Sequence, residues 1–217
     1  MRTPILDVLR PALWLGARLY FGVRFEGVQH IPTSGPLMIV PNHVTYADPP
    51  LVSIPVRRPV YYMAWNALFE VRGLSWLIRR LRAFPVDIDS ADPRATREAV
   101  RLLQAGEAVM IFPEGGRSTT GRLGRFKLGA FRLACLVGVP VLPVTIAGGH
   151  ESWPPGRILP RPGRVTITYH PVIPPPPGSN LRAAARALAQ DVLRTVASAL
   201  PADQREGHEA AETPPER

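Results

Sequence analysis

Residues 133–149 have the sequence LACLVGVPVLPVTIAGG, a run without a charged or histidine side chain. Two glycines and two prolines interrupt it: Gly138, Pro140, Pro143 and Gly148. Because these residues break helices, we expect a helix to end at Leu136–Gly138 and a buried strand to follow at Val141–Ile146. A strand that is apolar at nearly every position is typical of a parallel sheet covered on both faces. The segment therefore predicts an α/β fold rather than a transmembrane helix.

Further strands are predicted on both sides of this one. Pro36–Val40 (PLMIV) and Ala108–Phe112 (AVMIF) are short apolar runs, and each ends in a polar loop. Arg164–Tyr169 alternates polar and apolar residues, as an edge or half-exposed strand does. Strands separated by helices predict a single α/β domain with a largely parallel central sheet flanked by helices. Binding and catalytic residues in such sheets collect at the carboxyl ends of the strands.

Capping residues indicate where the helices begin and end. Asp92 and Pro93 suit the N-cap and the first position of a helix, and Gly106 suits its end. A last helix is expected at Asn180–Leu200.

The N-terminal segment combines apolar and basic side chains. Between Arg10 and Arg24 it holds Arg18 among eight apolar residues: Leu13, Trp14, Leu15, Ala17, Leu19, Tyr20, Phe21 and Val23. This composition predicts an amphipathic helix that lies in the headgroup region of a membrane. A helix packed against its own domain is the alternative. Because no secretory signal is recognisable, we expect a peripheral protein on the cytoplasmic face of the cell membrane.

The charge balance favours an anionic partner. Lys and Arg total 26 against 17 Asp and Glu, a formal net charge of +9 over 217 residues. An anionic membrane surface and nucleic acid both fit this charge. The charge alone is therefore compatible with a noncatalytic module that binds lipid or nucleic acid, which is the main alternative to the catalytic function considered below. Because no nucleic-acid-binding motif is present, nucleic acid is not expected as a partner. The single cysteine, Cys135, excludes an intramolecular disulfide, and the spacing of the histidines predicts no metal site.

The first candidate motif, Asn42–Asp48 (NHVTYAD), directly follows the strand at Pro36–Val40. His43 therefore lies at the carboxyl end of a strand, where a histidine can act as a general base on an alcohol. Asp48 can fix the imidazole tautomer and stabilise the imidazolium. Residues five apart do not face each other on a helix, so the two side chains can meet only across a turn. Alternatively, Asp48 caps a helix that starts at Pro49 and has no catalytic role.

The second candidate motif, Phe112–Ser118 (FPEGGRS), follows its strand in the same way. Glu114 can accept hydrogen bonds from substrate hydroxyls, and the planar guanidinium of Arg117 suits a phosphate. Gly115 and Gly116 allow the backbone to approach a ligand closely. An ordinary glycine-rich turn with a solvated charge pair is the alternative.

Together, the two motifs resemble the glycerophospholipid acyltransferase family, whose lysophosphatidate acyltransferases combine His-x4-Asp with a downstream Phe-Pro-Glu-Gly-x-Arg-Ser. Segments at Phe126–Gly129 and Val139–Val144 are similar to later blocks of the family, so the resemblance covers Phe21–Ile173. With the composition of the two ends, it divides the chain into three parts: a membrane-association segment at 1–24, an acyltransferase domain at 25–200 and a disordered acidic tail at 201–217.

The resemblance also implies a role for each motif residue. His43 would act as general base on an acceptor hydroxyl that attacks the thioester of acyl-CoA or acyl carrier protein directly, without an acyl-enzyme, and Asp48 would orient His43. The implied substrate-binding residues, which hold the glycerol phosphate head of the acceptor, are Glu114, Gly115, Arg117 and Lys127. The implied acceptor is a lysophospholipid, 1-acylglycerol 3-phosphate, which gives phosphatidate. No cofactor is implied beyond the thioester co-substrate.

One block departs from the family pattern. Where the family has an arginine, Phe84–Ile88 (FPVDI) ends in Ile88, so Arg82 or Arg94 would have to replace that arginine at the phosphate. A basic residue found earlier in the block is also replaced, around Trp65–Asn66. Glycerol 3-phosphate or another lysolipid therefore stays open as the acceptor.

Two other features have alternative interpretations. Tyr61–Leu81 is rich in apolar residues, which line an acyl-chain groove or belong to the core. His150 follows the strand at Val141–Ile146 through two glycines, and it either reaches the site or lies in a surface loop.

Overall fold

A central sheet organises the domain. The computed structural model describes residues 4–87, 92–178 and 180–205, with side chains from residue 10 onward. The strands are β1 (Arg24–Glu26), β2 (Leu37–Pro41), β3 (Val60–Trp65), β4 (Ala83–Val86), β5 (Ala108–Met110), β6 (Val141–Ala147) and β7 (Thr166–Tyr169). They form one sheet in the order β1-β7-β6-β2-β5-β3-β4, and every pair is parallel except β6 with β7. The predicted α/β domain with a largely parallel sheet is confirmed.

Helices connect the strands and cover both faces of the sheet. They are α1 (Pro4–Phe21), α2 (Asp48–Ser53), α3 (Arg72–Arg80), α4 (Pro93–Gln104), α5 (Leu128–Val137), α6 (Gly149–Ser152), α7 (Leu181–Ser198) and α8 (Ala202–Arg205), with short 3-10 helices at Val28–His30 and Asn66–Phe69. The predicted start of α4 is confirmed, because the Asp92 carboxylate accepts hydrogen bonds from the N–H groups of Arg94 and Ala95 at 2.8 and 3.1 Å. Gly106, with φ of 80°, follows the end of this helix.

Strand β2 shows why the central strands are apolar throughout. Met38 and Val40 belong to the hydrophobic cluster shared with α4, α5 and α7, whereas Leu37 and Ile39 belong to the cluster on the other face, shared with α1 and α2. All five residues of β2 are buried. A strand covered on both faces has no polar side, which is the pattern that predicted it.

The structure refines two predictions, one for the strand at the margin of the sheet and one for the C-terminal tail. β7 is half-exposed rather than an edge strand, because β1 pairs with its outer side. The tail predicted to be disordered from residue 201 begins instead with α8. There the buried Gln204 accepts a hydrogen bond from the N–H of Leu123 at 2.8 Å and donates one to Glu151 at 3.1 Å. Residues 206–217 lie outside the described residues.

Helix α1 is present, and most of its described side chains are exposed. Ala17 is buried, whereas Leu15 and Leu19 are 51% and 76% exposed. Arg10 ties the helix to the domain by donating a hydrogen bond to the carbonyl of Val56 at 2.8 Å. Within the described part of the chain, no helix combines the length and apolar character that crossing a bilayer requires.

Candidate active site

The two motifs meet because the strands that precede them are neighbours. β2 and β5 are parallel and in register, so their carboxyl ends lie side by side. The backbone N–H of His43 donates to Oε1 of Glu114 at 2.8 Å, and the N–H of Ser118 donates to the carbonyl of His43 at 2.8 Å. The loops are therefore bonded directly to each other at the edge of the sheet where the sequence predicted a site.

His43 is paired with Asp48 across a turn, as the spacing required. Nδ1 of His43 lies 2.8 Å from Oδ2 of Asp48. The Asp48 side chain is fully buried, whereas 16% of the His43 side chain is exposed. When Nδ1–H is donated to Asp48, Nε2 of the neutral ring is free to accept a proton. The ring also stacks on Phe112, with 4.0 Å between centroids, which restricts its orientation.

Asp48 does not cap α2, which was the alternative interpretation of its place before two prolines. The N-cap of α2 is Ala47, and the Asp48 carboxylate turns back over the preceding turn. Its Oδ2 accepts from the N–H groups of Val44 and Thr45 at 2.7 and 2.8 Å, and its Oδ1 accepts from the Thr45 hydroxyl at 2.6 Å. These donors compensate the burial of a carboxylate and fix its orientation toward His43.

Asn42 anchors the first loop to the sheet, a role that the sequence did not reveal. Its Nδ2 donates to the carbonyl of Ile146 at 3.0 Å, and its Oδ1 accepts from the N–H of Ile146 at 2.7 Å. The paired bonds hold the residue before His43 against β6. The only signal in the sequence was a side-chain amide at the end of an apolar strand.

Glu114 binds the two loops together through both carboxylate oxygens. Oε1 accepts from the N–H of His43 and Oε2 accepts from the N–H of Gly124, at 2.8 and 2.9 Å. Burial raises the pKa of Glu114 from its usual 4.5 to about 7; the two N–H donors oppose this rise and the charge of Asp48 adds to it. The structure therefore gives Glu114 an architectural role, and its contact with substrate hydroxyls stays a prediction.

Gly115 and Lys127 lie against each other in the second loop. Gly115 has φ of 75°, which favours glycine, and a Cβ at this position would overlap the Lys127 side chain. The N–H of Lys127 donates to the carbonyl of Pro113 at 2.8 Å. The ammonium group is thereby held beside the backbone of the second motif, although substrate contact by either residue stays a prediction.

Arg117 lies over the ring of Tyr46, with its guanidinium carbon 3.4 Å from the ring centre. Its Nη1 is buried and makes no hydrogen bond with any described residue. Arg117 lines a cleft of about 400 Å³ formed by residues 114–120 and 122–125. Arg122 and Arg125 are the other arginines that line it. A guanidinium in a cleft lined by further arginines is suited to bind a phosphate.

His150 contacts the loop that continues the second motif. Its Nε2 lies 3.2 Å from the carbonyl oxygen of Thr119, and its ring packs against Gly121. His150 therefore touches the wall of the cleft, and its role at the site stays a prediction.

The two arginines proposed to replace the family's missing arginine lie at different edges of the sheet. Arg82 directly precedes β4, where its carbonyl accepts from the N–H of Tyr62 and its Nη1 donates to the Tyr61 hydroxyl at 2.6 Å. This is the amino-terminal edge, opposite the site, so the suggested role of Arg82 is wrong. Arg94 lies in the first turn of α4, which follows the carboxyl end of β4. Ile88 lies outside the described residues.

These features define an α/β protein with a histidine–aspartate pair and a basic cleft at the carboxyl edge of a parallel sheet. No group of three or more potential metal-ligating side chains is assembled in the described ranges. The chain belongs to the Acyltransferase family, whose model matches residues 22–147.

Relatives of known name share this domain. The 1-acyl-sn-glycerol-3-phosphate acyltransferase of Pseudomonas aeruginosa is 30% identical over 171 residues, which cover 76% of this chain and 64% of that protein. The chloroplastic enzyme LPAT1 of Arabidopsis thaliana is 30% identical over 151 residues, 66% of this chain and 42% of that protein. The chain thus spans about half the length of the curated relatives it matches.

A solved structure has the same fold. The crystal structure of the 1-acyl-sn-glycerophosphate acyltransferase PlsC from Thermotoga maritima superposes with a TM-score of 0.70 at 30% sequence identity. The match covers 88% of this chain and 80% of that chain.

Proposed function

We propose that the protein transfers a fatty acyl group from acyl-CoA or acyl carrier protein to the free hydroxyl of a lysophospholipid, 1-acylglycerol 3-phosphate. The observation that carries the proposal is the buried Asp48 carboxylate, 2.8 Å from Nδ1 of the partly exposed His43. Membership of the Acyltransferase family supports the reaction type, and the names of the relatives support the acceptor.

His43 acts as the general base. Its Nε2 removes the proton of the acceptor hydroxyl while the oxygen attacks the carbonyl carbon of the thioester. The new C–O bond forms, the C–S bond breaks, and the imidazolium returns the proton to the departing thiolate. Asp48 accepts the Nδ1–H bond throughout and stabilises the imidazolium between these steps.

Two observations support direct attack by the acceptor without an acyl-enzyme. The Ser118 hydroxyl donates to the carbonyl of Arg122 at 2.7 Å, so it is not paired with His43. Cys135 lies on α5, and burial raises the pKa of its thiol, which disfavours the thiolate. A covalent mechanism needs a nucleophile activated by an adjacent base.

The basic cleft receives the phosphate of the acceptor. Arg117 lines this cleft, and the ammonium of Lys127 lies beside Gly115 in the same loop. Because Glu114 in this loop is bonded to the backbone of His43, a phosphate in the cleft keeps the glycerol hydroxyl close to the base. Binding energy from the phosphate is then used to position the hydroxyl.

The exposed side of α1 holds the protein on an anionic membrane at its cytoplasmic face. Leu13, Trp14, Leu15, Leu19 and Tyr20 are exposed, and the Arg18 guanidinium lies 5.4 Å from the centre of the Trp14 ring. Aromatic and aliphatic side chains with arginine beside them suit the headgroup region of a bilayer.

Release of free thiol from acyl-CoA in the presence of lysophosphatidate tests the proposal. We expect the wild-type protein to release thiol and form phosphatidate, detected by mass spectrometry, and His43→Ala to be slower by about 10²–10⁴-fold. His30→Ala, which removes a ring bonded to the carbonyl of Tyr169 at 2.9 Å, is the control and should retain activity. A protein that only binds lipid or nucleic acid would release no thiol, whether the donor is acyl-CoA or acyl carrier protein. Thiol release with glycerol 3-phosphate instead would reassign the acceptor.

A further inference from the structure

The segment that joins β3 to β4 exposes apolar and basic side chains together. We term this the α3 surface, and it consists of Trp65, Val71, Arg72, Leu74, Trp76, Leu77, Arg79 and Arg80. Trp76 and Val71 are 57% and 59% exposed, and α3 contains no buried residue. The interpretation of Tyr61–Leu81 as core is therefore wrong for this part of the segment, while the acyl-chain groove stays a prediction.

The position of α3 at the margin of the sheet explains why it is so little covered. It connects β3 to β4, and β4 is the outermost strand of the sheet that the described residues form. Val71, Leu74 and Leu77 recur every three residues, the spacing that places side chains along one side of a helix. An apolar stripe that the domain covers only in part marks an interaction surface.

The charges of the α3 surface point to an anionic partner. From Val71 to Arg80 there are three arginines and no acidic residue. The Arg80 guanidinium lies 5.1 Å from the centre of the Trp76 ring, and that of Arg79 lies 4.9 Å from the centre of the Phe69 ring. An anionic bilayer supplies phosphates to the arginines and an apolar layer to the tryptophan and leucine side chains beside them.

The α3 surface begins near the edge of the sheet that carries the site, and it ends near the opposite edge, where Arg82 precedes β4. β3 is parallel to β5, so Trp65, at the end of β3, lies at the same edge as the loops of His43 and Glu114. β1 and β7 run opposite to β6, so β1 begins at this edge and α1 ends next to it. The last turn of α1 and the start of α3 thus lie at the edge that holds the catalytic pair.

We propose that the α3 surface is a second membrane contact, which binds an anionic bilayer and acts together with α1. Contacts through both helices fix the orientation of the domain on the bilayer, whereas α1 alone leaves the domain free to rotate about one attachment. The inference rests on the proposed function, because an acceptor embedded in the bilayer is what this orientation would serve.

Vesicle sedimentation with charge-reversed protein tests the proposal. The probe is phosphatidylcholine vesicles containing phosphatidylglycerol, and the variant is full-length Arg79→Glu/Arg80→Glu. We expect its partition coefficient to fall at least tenfold, because each basic residue at an anionic surface contributes to binding. Trp76→Ser/Leu77→Ser should lower it by a similar factor through loss of apolar contact. Acyl transfer to lysophosphatidate dispersed in detergent should remain unchanged in Arg79→Glu/Arg80→Glu.

The matched control carries the same change in charge on α7. Arg182→Glu/Arg186→Glu replaces two exposed arginines on a helix that packs against α5, and we expect vesicle binding close to wild type. Equal losses for the α3 and α7 pairs would show a nonspecific charge effect and overturn the proposal.

A position-specific probe gives an independent readout. In a Cys135→Ala protein, an environment-sensitive fluorophore at Leu74→Cys should shift to the blue when vesicles are added, whereas one at Ala187→Cys on α7 should not. An unshifted Leu74→Cys label on protein that sediments with vesicles contradicts the proposal. So does a shift that appears only with acidic acyl carrier protein, which would make α3 the donor-docking surface. If the wild-type protein transfers no acyl group but the α3 variants still lose vesicle binding, the proposed function fails and the membrane contact stands.

Discussion

The guanidinium of Arg117 is stacked on the ring of Tyr46, so a residue of the first motif positions the phosphate-binding candidate of the second. Tyr46 also contacts Trp153, with 5.9 Å between ring centroids in an edge-on arrangement. The stack fixes the plane of the guanidinium and leaves Nη1 without a partner among the described residues. A preorganised guanidinium loses less entropy when it binds a phosphate.

Tyr46→Ala should weaken binding of a phosphate-bearing acceptor. A cation–π contact at a partly exposed site is worth about 0.5–1 kcal/mol, so we expect KM for lysophosphatidate to rise about two- to fivefold. Tyr46→Phe keeps the ring and should restore the wild-type KM. Steady-state kinetics with each substrate varied in turn would check this, and an equal KM for the alanine and phenylalanine variants would contradict a role for the stack.

Asp48→Asn should separate the catalytic role of Asp48 from its structural role. An amide oxygen in place of Oδ2 can still accept from Val44, Thr45 and His43, so we expect a loss of only about 1–3 kcal/mol in the free energy of unfolding. The amide carries no charge to stabilise the imidazolium, so kcat should fall by about 10²-fold or more. Asp191→Asn, at an exposed pair with Arg194, is the control for both measurements. A folded Asp48→Asn protein with normal kcat would remove Asp48 from the mechanism.

The sheet and the meeting of the two motifs could be predicted from the sequence because both depend on short segments. A strand that is apolar on both sides, as at Val141–Ile146, has few alternatives to a buried parallel strand. A polar loop directly after such a strand must lie at its carboxyl end, so the sequence alone predicts that His43 and Glu114 lie at one edge of the sheet.

The contacts that support the site could not be predicted, because they depend on which distant segments become neighbours. Asn42 is bonded to Ile146, 104 positions along the chain. The exposure of α3 follows from the position of β4 at the end of the strand order. The hydrophobic periodicity of Tyr61–Leu81 does not reveal this, because a helix has the same periodicity whether or not other elements cover its apolar side. Asp48 before two prolines has the sequence of a helix cap, yet its carboxylate binds the preceding turn.

Glu114 should make stability depend on pH. Its pKa in the folded protein is about 7, above the usual 4.5, so between these values the folded state binds more protons than the unfolded state. This contribution is therefore fully present below pH 4.5 and is lost as the pH rises through 7, with an upper limit of about 3 kcal/mol.

Urea unfolding at several pH values from 5 to 8 would measure the effect of Glu114. We expect the free energy of unfolding of wild type, relative to Glu114→Gln, to decrease as the pH rises, because glutamine does not titrate. Parallel curves for wild type and Glu114→Gln would show that Glu114 does not titrate in this range.

Gly124→Ala should disturb the site without touching either catalytic residue. A Cβ at Gly124 would lie 2.6 Å from Oε2 of Glu114, and that carboxylate cannot move freely because its other oxygen holds the N–H of His43. Displacing Glu114 breaks the bond between the two loops, so we expect lower kcat together with a lower Tm. Gly129→Ala is the matched control, since a Cβ there meets nothing within 4 Å and alanine favours the helix. If Gly124→Ala has wild-type kcat and Tm, the bond between Glu114 and His43 is not what holds the base in place.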